Sequence, residues 1–97
     1  MQQRITQKHL EAKISHLNKI TDHTDEIYRY DETGRIIGGN PGTYCLSGAY
    51  GGWALHQMSA GGGTGVRDVF QVGHVPARQL AELISAYTLG LTEVAAK

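Results

Sequence analysis

The middle of this chain constrains its fold more than any other feature. From Ile36 to Val66 there are 31 residues without Asp, Glu, Lys or Arg, and they include ten of the chain's 13 glycines. Overall, 40% of the residues are hydrophobic and 19% are charged, which is typical of a globular protein and not of a disordered chain. A neutral, glycine-dense segment in such a chain predicts a tightly turned β-sheet.

Length and charge exclude several classes of protein. A chain of 97 residues predicts one domain over 1–97, and its zero formal charge disfavours binding to nucleic acid. We expect no membrane span and no signal peptide, because no long apolar run occurs. A single cysteine, Cys45, is typical of a reducing compartment, so the predicted location is the cytoplasm. For so short a domain, homo-oligomerisation is a natural way to bury more surface.

Helices are predicted at both ends of the chain. The first 20 residues carry an apolar stripe at helical spacing, with Thr6 as N-cap. A second helix should open at Pro76 and end at a Gly90 C-cap, with the tail from Thr92 frayed. Its predicted apolar stripe consists of Leu80, Leu83, Ile84, Tyr87 and Leu91.

Strands are predicted between the two helices. A hairpin should turn at 31–34, and further strands are expected at 43–50, 53–58 and 66–70. In the first of these, Tyr44, Leu46 and Tyr50 should share a face, and Gly51-Gly52 should form the following turn. The predicted fold class is therefore α+β: an N-terminal helix, an antiparallel meander of four to five strands, and a C-terminal helix packed on the sheet.

Three motifs that suggest chemistry have simpler interpretations. The run 61–65, Gly-Gly-Gly-Thr-Gly, is similar to the phosphate loop of the tubulin and FtsZ family, but a hairpin connection is favoured because a strand follows it. His9, His16 and His23 are spaced too widely on a helix to share a metal ion, which favours solvated side chains. Cys45 with His56 or His74 would make a nucleophile and base, yet the spacing is not specific, so we predict no enzyme activity and no cofactor.

A ligand site is predicted around the start of the second helix. There a helix N-terminus and the Arg78 guanidinium favour an anion, although an Arg78–Glu82 pair is the simpler alternative. Aromatic rings nearby suit a base, although each ring alone is more often part of the core. The predicted ligand-binding residues are Arg78, Arg67, His56, His74, Tyr50, Trp53 and Ser47.

Several segments resemble a family of short bacteriophage proteins. They are the Leu46–Gly52 segment LSGAYGG, the 68–70 strand DVF and the 73–80 helix start GHVPARQL. The likeness covers most of the chain, whereas the 61–65 glycine run is longer here. By analogy with small phage sponges that sequester immune signals, the resemblance implies an anti-defence protein that binds a cyclic nucleotide or a cyclic ADP-ribose without catalysis. The alternative is a protein–protein interaction module that inhibits a host or defence protein.

Overall fold

An N-terminal helix, five strands and a C-terminal helix follow one another along the chain. The computed structural model describes residues 5–59 and 65–95. The elements are α1 (Gln7–Ile20), β1 (Tyr28–Tyr30), β2 (Ile36–Gly39), β3 (Tyr44–Ala49), β4 (Gly52–Met58), β5 (Val66–Asp68) and α2 (Ala77–Ala95). This order confirms the predicted α+β fold.

Helix α1 begins with a reciprocal cap. The Thr6 hydroxyl accepts a hydrogen bond from the His9 backbone N–H, and Nδ1 of His9 accepts one from the Thr6 backbone N–H. Both of these backbone donors lack a partner within the helix, so the exchange stabilises its first turn. The N-cap prediction at Thr6 is confirmed, and His9 has a structural role instead of being a solvated side chain.

Helix α2 starts directly after Pro76, as predicted, but runs past the expected end. It continues through Gly90 to Ala95, so the predicted C-cap at Gly90 and the frayed tail from Thr92 are wrong over the described residues. A glycine inside a helix costs about 1 kcal/mol. Leu91, one residue beyond, packs against the core, which offsets that cost.

The five strands form two antiparallel sheets. Strands β1 and β2 make a two-stranded hairpin whose turn has Gly34 at φ +87°, while β3, β4 and β5 make a three-stranded sheet in that order. In the hairpin turn, the Thr33 hydroxyl and nearby backbone N–H groups donate to Asp31 and lower the pKa of its carboxyl. The predicted meander is therefore divided between a small hairpin and a larger sheet.

The connection between β3 and β4 differs by one residue from the prediction. Tyr50 and Gly51 form the two-residue turn with φ of +54° and +73°, and Ala49 pairs with Gly52. Positive φ at both central residues is the geometry that joins twisted antiparallel strands most tightly. Tyr50 therefore lies at the tip of the hairpin, where its side chain is 98% exposed, and not on the strand face of Tyr44.

Both helices pack on one face of the three-stranded sheet, which we call the inner face. Residues of α1, α2 and this face form a single hydrophobic core consisting of Leu10, Ile14, Leu17, Tyr44, Leu55, Val75, Leu80, Ala81 and Ile84. Side chains alternate along a strand, so Ser47 and His56 point to the opposite, outer face. No helix of the described chain is long and apolar enough to cross a bilayer.

Candidate functional site

Four of the predicted ligand-binding residues meet on the outer face. The Ser47 hydroxyl and Nε2 of His74 are 3.0 Å apart, within hydrogen-bond distance. The His74 ring centroid lies 6.1 Å from that of His56 and 5.9 Å from that of Tyr50, both in edge-on contacts. We call Ser47, Tyr50, His56 and His74 the histidine face.

Strand register brings these side chains together. Ser47 pairs with Ala54 and Cys45 pairs with His56, so Ser47 and His56 are diagonal neighbours on one face. His74 joins them because Val75 exchanges two backbone hydrogen bonds with Trp53, at 2.8 and 2.9 Å. That pairing directs the Val75 side chain into the core and the His74 side chain to the outer face.

Asp68 holds the loop that delivers His74. Its two carboxylate oxygens accept hydrogen bonds from the backbone N–H groups of Gln71, at 3.1 Å, and Gly73, at 3.0 Å. Both donors have positive φ, of +56° and +72°, so the loop is bent sharply. The predicted site omitted Asp68, although a side chain that bonds to backbone a few residues ahead is a common signal of such a turn.

The Ser47–His74 pair has part of the geometry of a nucleophile with its base. In catalytic Ser–His pairs a third group fixes the imidazole through its other nitrogen. Within the described residues, no hydrogen bond reaches Nδ1 of His74. The histidine face therefore offers hydroxyl and imidazole groups that can donate to or accept from a bound molecule.

Cys45 does not have the character of a reactive thiol. It lies opposite His56 in the β3–β4 ladder and is partly buried. Burial raises the pKa of the Cys45 thiol, which keeps it protonated at neutral pH. Since the thiolate is the nucleophilic form, the structure gives no support to a Cys45–His56 pair.

Trp53 lies on the inner face, separated from the histidine face by the sheet. It packs against the core, and its ring covers Gly48, its partner across the ladder. A Cβ atom at Gly48 would come within 2.8 Å of the ring, so only glycine leaves room for this contact. Trp53 and Tyr50 are thus not placed to stack on one ligand together.

The two predicted arginines also lie outside the histidine face. The Arg67 side chain donates from Nε to Oε1 of Gln57, its cross-strand neighbour, at 2.9 Å. Arg78 lines a depression between the two helices together with Lys13 and Ser85. The structure therefore brings four of the seven predicted residues together.

The other candidate motifs acquire structural explanations. His23 lies edge-on to Tyr44, with ring centroids 6.0 Å apart, and His16 is exposed. Over residues 5–59 and 65–95, no group of three or more His, Cys, Asp or Glu could hold a metal ion. Of the glycine run, 61–64 lie outside the described residues, but the strands on either side are antiparallel neighbours, unlike the strand–loop–helix setting of a phosphate loop.

Asn18 is a buried polar residue that sequence reasoning missed. It is 1% exposed, and its side-chain amide pairs with both backbone groups of Tyr44: Nδ2 donates to the carbonyl at 3.0 Å, and Oδ1 accepts from the N–H at 2.8 Å. The amide thereby occupies the place of a neighbouring strand. No sequence pattern around Asn18 distinguishes it from an asparagine on the polar face of a helix.

Comparison with known proteins gives no assignment. No protein-family model matches the chain, and no curated protein or solved structure matches it either. The resemblance to short phage proteins stays a prediction.

Proposed function

We propose that the protein binds a small, nucleotide-derived molecule at the histidine face and sequesters it without catalysis. The observation that carries this proposal is the exposed side chain of Tyr50, at the two-residue turn beside His74. A planar base gains stacking energy on such a ring.

The polar groups beside Tyr50 suit the rest of a nucleotide. His56 and His74 can present N–H donors to phosphate, and the Ser47 hydroxyl can bond to phosphate or sugar. The nearby carboxylate of Asp68 accepts two hydrogen bonds from the backbone of its own loop. The segment that carries Ser47, Tyr50 and His56 has no charged side chain of its own.

The biological role that we propose is anti-defence. In the host cytoplasm, a phage accessory protein of this kind would remove a cyclic nucleotide or cyclic ADP-ribose signal by binding it stoichiometrically. The support for this role is the resemblance to short phage proteins together with the chemistry of the histidine face. No cofactor is required, because the signal is held and not converted.

Calorimetry against a panel of cyclic nucleotides and cyclic ADP-ribose isomers tests the proposal. We expect one class of ligand to bind the wild type, and Tyr50→Asn to weaken that binding about fivefold, because a stacked aromatic pair contributes about 1 kcal/mol. Asparagine tolerates the left-handed turn, so the fold should persist. Tyr30→Asn, which removes another exposed ring, is the matched control. Absence of heat across the panel would refute the proposal.

A second candidate function is protein–protein interaction, which the β1–β2 hairpin favours. Three of its large apolar side chains are more than half exposed: Tyr30 at 58%, Ile36 at 53% and Ile37 at 57%. Ile36 and Ile37 are consecutive and point to opposite faces of the hairpin, so both faces present apolar surface. An isolated two-stranded hairpin is marginally stable in water, and a second copy of the chain would stabilise this one by covering it.

A further inference from the structure

We propose that the free edge of β3 binds an extended, basic peptide as an additional strand. Strand β3 is the outer strand of the three-stranded sheet and pairs only with β4 among the described strands. Exposed strand edges are templates for pairing with another chain, and recognition of extended peptides commonly uses them. This surface is distinct from the histidine face.

The β3–β4 register shows which backbone groups are available. Tyr50 and Gly51 form a two-residue turn, so the closing pair Ala49–Gly52 is a hydrogen-bonded pair, and the alternation continues with Ser47–Ala54 and Cys45–His56. The intervening residues of β3, Tyr44, Leu46 and Gly48, therefore direct their N–H and C=O groups away from β4.

Asn18 confirms this direction and limits the open edge. Its side-chain amide pairs with the N–H and C=O of Tyr44, as a neighbouring strand would. Within the described residues, no equivalent partner reaches the outward groups of Leu46 and Gly48. An incoming strand would meet four backbone groups that have no partner in the described part of the chain, immediately beyond Tyr44, whose own groups Asn18 of α1 already binds.

A groove runs along this edge. Two adjoining cavities, of about 370 and about 530 Å³, share Glu11 and Leu46 in their walls. The first extends toward Tyr44 and Ile27, and the second toward Gly48 and Trp53. The groove thus follows β3 and presents apolar walls, where alternate side chains of an extended peptide can pack.

The negative charge of the groove favours a basic peptide. The carboxylates of Glu11 and Asp25 both line the first cavity. Their described partners are neutral: Gln7 donates to Glu11 at 3.0 Å, while Ser15 and Asn18 donate to Asp25 at 2.7 and 3.1 Å. A lysine or arginine on the incoming strand would supply the complementary charge, whereas an acidic peptide would be repelled.

Trp53 fluorescence provides a direct binding signal, because this single tryptophan lines the groove. We expect a short acetylated peptide of alternating Lys and Val to shift the emission and to give heat in calorimetry. The same peptide with Glu in place of Lys should not bind. Binding should weaken as salt is raised, since the carboxylates contribute through their charge.

Two variants separate the backbone from the charge contribution. Leu46→Pro removes an outward N–H without removing a β3–β4 hydrogen bond, and should weaken peptide binding at least about tenfold. Glu11→Gln combined with Asp25→Asn should weaken it similarly and reduce the salt dependence, while Glu32→Gln in the hairpin turn should change nothing. The double carboxylate variant and its Glu32→Gln control keep the test valid if Leu46→Pro does not fold.

Three outcomes would overturn the proposal: no binding of the basic peptide, equal binding of the acidic peptide, or unchanged binding by the carboxylate variants. A different outcome is that the free protein dimerises without binding the peptide. If Leu46→Pro abolished that dimer, the edge would be assigned to a second copy. Binding of nucleotides at the histidine face should be unaffected by either variant, so each proposal can fail separately.

Discussion

Two tyrosine hydroxyls meet between the sheet and α2 and join residues 43 positions apart. The oxygens of Tyr44 and Tyr87 are 2.8 Å apart, and their rings are in edge-on contact. Burial, strengthened by the hydrogen bond to Tyr87, raises the pKa of Tyr44 well above its ordinary value of 10.0. The Tyr44 hydroxyl is therefore favoured in its neutral form in the folded protein.

The fold should lose stability in alkali. Because the folded-state pKa of Tyr44 is raised, its contribution is complete below pH 10.0 and is lost as the pH rises above that value. Tyr87→Phe should cost about 1 kcal/mol in the free energy of unfolding at neutral pH, since the Tyr44 hydroxyl loses its partner.

Urea unfolding at neutral and alkaline pH measures both effects. Wild-type stability should fall as the pH is raised past 10.0, and Tyr44→Phe should make that fall shallower. Tyr30→Phe, at an exposed position, is the control. An equally steep fall in Tyr44→Phe would contradict the account.

At the scale of elements, Asn18 joins α1 to β3. In Asn18→Ala, the N–H and C=O of Tyr44 lose their partner at a buried position, so we expect a loss of about 2 to 4 kcal/mol in the free energy of unfolding. Asn40→Ala removes one exposed hydrogen bond, to the Glu26 carbonyl, and should cost about 1 kcal/mol or less. Equal losses in the two variants would show that the edge pairing contributes little.

Helix starts and hairpin turns were predictable because their signals are local. Thr6 and Pro76 mark helix starts through groups within one turn, and Gly34 supplies the positive φ of its hairpin. The end of α2 was not predictable in this way. Gly90 is a typical stop signal, and only the packing of Leu91 against a distant core extends the helix.

The division of the sheet into two faces was only partly predictable. Alternation correctly places Ser47 with His56, but the helices could have covered either face, and no local pattern shows that Trp53 belongs to the covered one. The seven predicted site residues therefore separate, with Arg67 and Arg78 away from the histidine face. Asn18 was missed because its partner is 26 positions away.

The whole molecule is more extended than a compact chain of its length. Its radius of gyration is 14.2 Å, against about 12.5 Å for a compact chain of this length, and its extents are 49 × 39 × 22 Å. The only extensive contact of the β1–β2 hairpin with a described element is between its own strands. The hairpin is therefore well placed to be covered by a second copy.

Sedimentation velocity over a concentration series tests this association. We expect the wild type to form a homo-oligomer and the double variant Ile36→Lys, Ile37→Lys to be monomeric, because each lysine would place a charge in the apolar contact. Val72→Lys changes a comparably exposed apolar residue elsewhere and should leave the oligomer intact. A monomeric wild type would contradict self-association through this hairpin.

Nuclear magnetic resonance of the side chains can show whether a nucleotide-derived ligand binds at the histidine face, as we propose. The ring signals of Tyr50, His56 and His74 should shift together and saturate when a cyclic nucleotide or cyclic ADP-ribose is titrated. The ring signals of His16 and Tyr30, which are exposed elsewhere, should stay in place. Saturating shifts confined to other residues, or no shift with any ligand of the panel, would contradict the account.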